Sequence, residues 1–402
     1  MSSESPFQIT VPDDEIELLQ RKLADTRFPD ELDNAGWDYG VPLSDLKRLV
    51  EKWKGDYDWR AHERELNKLP MFTRDIEVEG FGVLNVHYVH KRSEVDGAIP
   101  LLFVHGWPGS IIEVTKILPL LTANEPGHPS FHVVAPSLPG FAWSQGASNR
   151  GFREKQYTEL LNKLMLSLGY SEYVTQGGDW GRYLTRVLAF EHAPKHVKAL
   201  HTNFARAGPI SFWNNPIQYI KHLITPYSPR ELQDSAIRKK FETVGHGYFV
   251  LQATRPQTLG HSLADSPVGL LAWIYDKLVQ WTDSYPWTDE EILTWISIYW
   301  FSRAGPAASV RIYLELRGAA SQSAAARKMP PIPVGVSFFP KEIGNSPKAF
   351  LRAESNVVFE SEHAAGGHFA AYEKPEALVD DLRRMFGKGG PAAGVVPGHD
   401  GY

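Results

Sequence analysis

Cysteine is absent from all 402 residues, so neither a disulfide framework nor a thiolate metal site can contribute to fold or chemistry, and the redox compartment is left open. Long hydrophobic runs are missing too. No window holds 18 consecutive apolar residues, and the start Met1-Ser2-Ser3-Glu4-Ser5-Pro6 is polar and acidic, unlike a secretory leader. The expectation is a soluble, cytoplasmic protein without a membrane anchor. A strong charge of one sign is lacking as well: 42 Lys and Arg against 47 Asp and Glu leave a formal −5, which attracts neither nucleic acid nor an anionic membrane. No internal repeat is visible. What the chain does have is aromatic mass, 12 Trp, 16 Tyr and 20 Phe, which suits a large apolar pocket and plain core packing equally well. Its length predicts two or three domains, or one core with a large insertion.

Hydrophobic periodicity divides the chain. Residues 1–72 read as a helical extension: Ile16, Leu19 and Leu23 fall on one helical face, and Leu43, Leu46, Leu49, Val50 and Trp53 on another. From Thr73 to His90 the period drops to two, with Gly80-Phe81-Gly82 as the turn of a hairpin. The continuous apolar run Pro100–Val104 predicts a strand buried on both faces. A helix over Ile111–Leu121, a strand at Val133–Pro136, a helix over Lys155–Leu168 and a strand at Val197–His201 continue the alternation. This is the βαβ rhythm of a mostly parallel sheet with helices on both faces, and residues 73–205 are its first part. Residues 206–327 break it with few strand signals and helical runs such as Gly269–Trp281 and Glu290–Phe301, a helical cap. The rhythm returns over 328–388 with Ile332–Phe339, Asn356–Glu360 and a helix over Lys374–Phe386. The Gly- and Pro-rich end, 389–402, is expected to be a flexible tail.

Three segments carry the chemistry. Tyr173–Gly181 reads strand, tight turn, helix, with Gly178-Asp179-Trp180-Gly181 at the turn; this is a nucleophile elbow, G-x-S-x-G, with Asp in place of Ser. A carboxylate is a poor acyl nucleophile, but it can displace a leaving group from an sp³ carbon and form an ester that water must then cleave. A serine esterase is therefore disfavoured. His105-Gly106-Trp107-Pro108-Gly109-Ser110 follows the buried strand and offers backbone N–H groups at the sheet's carboxyl edge. Trp107, together with Trp180 after the nucleophile, would form an oxyanion hole. Whether the bond before Pro108 is cis is open at this point. Gly366-Gly367-His368-Phe369 places a histidine between the last strand and the last helix; its rival His363 lies nearer the strand and reads as structural. The acid that orients this histidine is expected at Glu342, after the strand ending Phe338-Phe339, with Glu360 and Glu362 as alternatives. The order 179, 342, 368 is that of the α/β-hydrolase fold.

Taken together, H-G-W-P-G-S, G-G-D-W-G and G-G-H-F-A-A-Y-E-K-P resemble the signatures of epoxide hydrolases of the microsomal-type branch, especially its soluble fungal and bacterial members, from Phe7 to about Phe386. The resemblance implies an α/β-hydrolase fold with a cap and an N-terminal extension, and a hydrophobic epoxide as substrate. It implies no cofactor or metal, a detoxifying role in xenobiotic metabolism, and a homodimer formed partly through cap surfaces. It also singles out Tyr248 and Tyr313, whose segments resemble those bearing the family's cap tyrosines. A phenol, with a reference pKa of about 10, stays protonated at neutral pH and can donate to the ring oxygen. The chain departs from many soluble relatives in having Glu342 where they have Asp. A haloalkane dehalogenase, with Trp107 and Trp180 as halide donors, and a catalytically dead ligand-binding hydrolase fold are the competing readings. Phe212, Trp213, Leu251, Trp281 and Trp300 are candidate pocket residues.

Overall fold

In the computed structural model, residues 4–213, 215–317 and 331–402 are described. The apolar stretches pair into one nine-stranded sheet of β1 (Ser5–Pro6), β2 (Met71–Val78), β3 (Gly82–Lys91), β4 (Ile99–Val104), β5 (Phe131–Pro136), β6 (Tyr173–Gly177), β7 (Val197–Thr202), β8 (Val334–Phe338) and β9 (Val357–Glu362), in the order β1-β2-β3-β5-β4-β6-β7-β8-β9. Pairings β1–β2, β2–β3 and β3–β5 are antiparallel, and those from β5 onward are parallel. All six residues of β4 are buried, as a central strand covered on both faces demands. Helices Glu154–Ser167 and Asp179–His192 pack side by side against the sheet, and Leu118–Thr122 packs with Pro375–Phe386. The parallel strands β4, β6 and β8 all end at the same edge, so the loops that follow them converge there.

The expected helix over Ile111–Leu121 is instead a 3₁₀ turn, Ile111–Val114, and a short helix, Leu118–Thr122. Pro119 has no N–H to continue a helix and is tolerated only in a first turn, so the helix restarts around it. The extension is not wholly helical either. Its first residues form β1 on the sheet edge, ahead of helices Asp13–Ala24, Leu43–Lys54 and Trp59–Leu66. These helices also meet the cap: Lys22 pairs with Asp265 at 2.7 Å, Lys52 with Glu290 at 2.8 Å and Arg48 with Asp289, while Tyr57 Oη lies 3.2 Å from Thr294 Oγ1.

Between 206 and 317 the chain is helical, including Pro216–Ile224, Pro229–Lys240, Pro256–Asp265, Pro267–Gln280 and Asp289–Trp300. The border expected at 327/328 lies outside the described residues. The helix Pro216–Ile224 buries none of its residues, and just before it Phe212 and Trp213 are 44 % and 89 % exposed. Both side chains, expected in a pocket wall, are thus largely solvent-facing. The last segment also differs from the flexible tail expected over 389–402. Ala392 and Val396 are buried, the Gly401 N–H donates to Gly97 O at 2.7 Å, and the Ser130 N–H donates to Gly401 O at 2.8 Å. Glycine and proline here fold the backbone back on the core, and two small apolar side chains are enough to anchor it. Among the described residues no helix is long and apolar enough to cross a membrane.

Candidate active site

Strand β6 ends at Gly177 and the next helix begins at Asp179, whose φ is +45°. A non-glycine residue in the left-handed region costs about 1–3 kcal/mol and persists only where its surroundings enforce it. Here they do. A Cβ on Gly181 would sit 1.9 Å from Val104 O, and one on Gly177 would sit 2.6 Å from the Gly181 backbone, so only small residues let the turn press against β4. The bend presents the carboxylate at the sheet edge, at the N-terminus of a 14-residue helix whose dipole favours negative charge.

The loop after β4 wraps over this carboxylate. The Trp107 N–H donates to Asp179 Oδ1 at 2.8 Å, and the Trp107–Pro108 bond is cis. Two cap side chains hold the loop, Trp295 Nε1 donating to Pro108 O and Tyr299 Oη to Gly109 O, each at 2.5 Å. His105 braces it from below, accepting from the Leu138 N–H at 3.1 Å. Burial pushes its pKa down to about 4, so it is neutral there. The Trp180 N–H, the second expected donor, lies in the first helical turn, where amide hydrogens have no intrahelical acceptor.

His368 comes in from the loop after β9. Its Nε2 is 3.5 Å from Asp179 Oδ2, and its Nδ1 is 2.9 and 3.0 Å from the two oxygens of Glu342. Glu342, just past β8, is fully buried. The alternatives are engaged elsewhere: Glu360 pairs with Arg352 at 2.6 Å, Glu362 with Lys348 at 2.5 Å, and His363 with Asp381 at 2.6 Å. Burial alone would lower the His368 pKa, but the charge of Glu342 and the contact with Asp179 outweigh it and hold the imidazole well above its usual value. In the free protein the ring is thus a cation between two carboxylates. Glu373 fixes the loop, accepting from the Gly367 and Phe369 N–H groups at 2.9 and 3.2 Å and from the Asp283 N–H at 3.0 Å.

The cap supplies the roof. Tyr248 stacks on Trp107 with centroids 5.4 Å apart and planes 12° apart, and Tyr313 meets Trp107 and Trp180 edge-on at 5.5 and 5.0 Å. The two phenol rings are 5.8 Å apart. Burial and the charge of Asp179 push both phenols well above their usual pKa, so both are protonated. Tyr248 and Trp180 lie near the Tyr313 hydroxyl without meeting hydrogen-bond geometry, and the Tyr313 Oη and the Trp180 Nε1 are both buried without a partner. Trp281 packs 5.2 Å from Tyr248 and 5.1 Å from His368, a position consistent with its expected place in a pocket wall. No group of three or more potential metal ligands occurs among the described residues.

Sequence reasoning missed Glu113, Glu373 and Lys277. The Lys277 ammonium lies 5.0 Å from the centre of the Tyr248 ring. For Glu113 a signal existed: a lone carboxylate in the apolar run Ile111-Ile112-Glu113-Val114, right after the Trp-Pro-Gly loop.

Comparison with known proteins points one way. A family described as the epoxide hydrolase N terminus matches residues 4–114, and one described as the alpha/beta hydrolase fold matches 99–223. A Stigmatella aurantiaca protein whose name places it among the epoxide hydrolases is 39 % identical over 95 % of this chain and 84 % of its own. Epoxide hydrolase 1 of Sus scrofa is 34 % identical over 95 % of this chain and 88 % of its own. The solved structure of Aspergillus niger epoxide hydrolase superposes with a TM-score of 0.81 at 34 % identity, covering 95 % of each chain.

Proposed function

Since this chain belongs to the epoxide hydrolase family, we propose that it opens a small hydrophobic epoxide to a vicinal diol through a covalent ester on Asp179. The observation that carries this reading is the division of labour at one carboxylate: Asp179 Oδ1 is held by the Trp107 N–H, and Oδ2 lies beside His368. In the first step Oδ2 attacks a ring carbon, the C–O bond breaks, and Tyr248 or Tyr313 gives its proton to the departing oxygen. General acid help of this kind is worth typically 10²–10⁴-fold. In the second step His368, oriented by Glu342, takes a proton from water while the water oxygen adds to the ester carbonyl. The oxyanion falls to the N–H groups of Trp107 and Trp180, the ester C–O bond breaks as His368 returns the proton to the leaving oxygen, and the diol leaves. Only epoxide and water are consumed.

The electrostatics of His368 fit this order. As a cation it cannot act as a base, but esterification cancels the charge of Asp179, one of the two causes that hold the proton on the ring. The imidazole then gives up that proton, which restores the tyrosinate left by the first step, and stands neutral as the base for the second. Diol formation from styrene oxide tests the function. Asp179→Ala is expected to abolish turnover, and His368→Gln to accumulate a protein heavier by the mass of one epoxide. Sustained diol production by His368→Gln would overturn the role given to that residue.

A further inference from the structure

We propose that Glu113 is a third acid in the hydrolytic step and positions the attacking water against the ester by accepting its second hydrogen. The proposal rests on the two-step reading above. Glu113, Asp179, His368 and Phe369, with Gly106, Trp107, Gly109 and Gly178, bound a small pocket whose free volume, about 10 Å³, is close to the least that admits one water. All of these residues belong to the core, whereas the phenols belong to the cap. It is built for a carboxyl group. A Cβ at position 109 would sit 1.6 Å from Glu113 Oε1, so only glycine there lets the acid reach in. Gly106 clears the other wall, since a Cβ on it would meet Asp179 Oδ1 at 2.2 Å.

The groups facing Glu113 are Asp179, His368, the Gly106 N–H and, from the cap, Tyr299. Burial, reinforced by the charge of Asp179 and opposed by His368 and the Gly106 N–H, pushes its carboxyl up to about 8. It is thus protonated at neutral pH, and a second negative charge does not burden the nucleophile. A neutral carboxyl keeps a carbonyl oxygen that accepts a hydrogen bond. The water then has two acceptors, His368 Nε2 for the proton it loses and Glu113 for the one it keeps. Its oxygen is left to form the new bond to Asp179 Cγ. The ester C–O bond breaks, the proton returns from His368 to the alkoxide, and Glu113 ends unchanged.

The test is single-turnover kinetics with styrene oxide, following ester formation and decay separately in wild type and in Glu113→Gln, Glu113→Leu and Glu113→Asp. Gln keeps the acceptor oxygen and is expected to decay within about threefold of wild type. Leu, which removes the acceptor, and Asp, which withdraws it by one methylene while remaining polar enough to fold, are expected to form the ester at a near wild-type rate. Their decay should be at least about tenfold slower, so that adduct accumulates at steady state and KM falls together with kcat. Wild-type decay in Asp (and in Leu, where it folds), an equal loss in formation and decay, or a loss in Gln as large as in Asp would each overturn the proposal. Absence of an ester in wild type and in His368→Gln would instead sink the two-step reading, and this proposal with it.

Discussion

Tyr313→Phe removes one oxygen atom, and the structure predicts opposite signs for its two consequences. Tyr313 is 1 % exposed, and its hydroxyl lies beside the Trp180 indole and the Tyr248 hydroxyl without a well-formed hydrogen bond to either. A buried hydroxyl held this poorly recovers little of a desolvation cost of about 1–3 kcal/mol. Deleting it is therefore expected to leave stability unchanged or to raise Tm by roughly 1–4 °C, the reverse of the usual result of altering a buried side chain. Chemistry moves the other way. A donor aimed at a developing oxyanion is worth about 2.7–4 kcal/mol, or 10²–10³ in rate. With Tyr248 still in place the lower end applies, so ester formation should slow about 10²-fold while ester decay is unchanged. Calorimetry on the free protein and rapid-mixing measurement of alkylation with styrene oxide read the two effects independently. A Tm several degrees lower, or alkylation at the wild-type rate, refutes the reasoning, the first by showing that the hydroxyl is satisfied and the second by showing that it does not reach the epoxide.

Two further outcomes follow from the geometry. Because esterification removes the Asp179 charge that helps raise the His368 pKa, ester decay should rise with pH through an inflection lying below the value at which His368 titrates in the free protein; NMR titration of the free protein beside pH-jump decay of the ester checks this, and an inflection at or above the free value refutes it. Truncation after Gly390 should lower the unfolding free energy by roughly 3–5 kcal/mol, from the lost burial of Val396 and the unpaired backbone of Gly97 and Ser130, with kcat at low temperature unaltered; an unchanged denaturation midpoint would restore the view of that segment as a loose end.

The core was legible because its strands are short and bounded by turns: the apolar run Pro100–Val104 stands out by eye, and Trp107, Asp179 and Glu342 each follow closely on a strand. The elbow was readable because Gly177 and Gly181 are imposed by contacts of 2.6 and 1.9 Å, which leave no other residue type. The cap was harder. Among the described residues four of its helices begin at a proline, Pro216, Pro229, Pro256 and Pro267, a start signal that the hydrophobic period alone does not read. Glu373 escaped because its meaning depends on what faces it across the fold, which periodicity does not encode, and the lone carboxylate Glu113 in its apolar run does not by itself say what it faces. The tail misled for the opposite reason. Its composition is that of a disordered end, yet Ala392 and Val396 reach a groove that only the finished core provides.

The ion pairs and the Tyr57–Thr294 contact that join the extension to the roof bear on traffic. Swinging the roof away would have to break that seam, which ties it along one flank to helices that follow the sheet's first strand. A route that leaves the seam whole runs between individual side chains. On such a route, selectivity among epoxides is set partly by which shapes pass the doorway, before any bond is made.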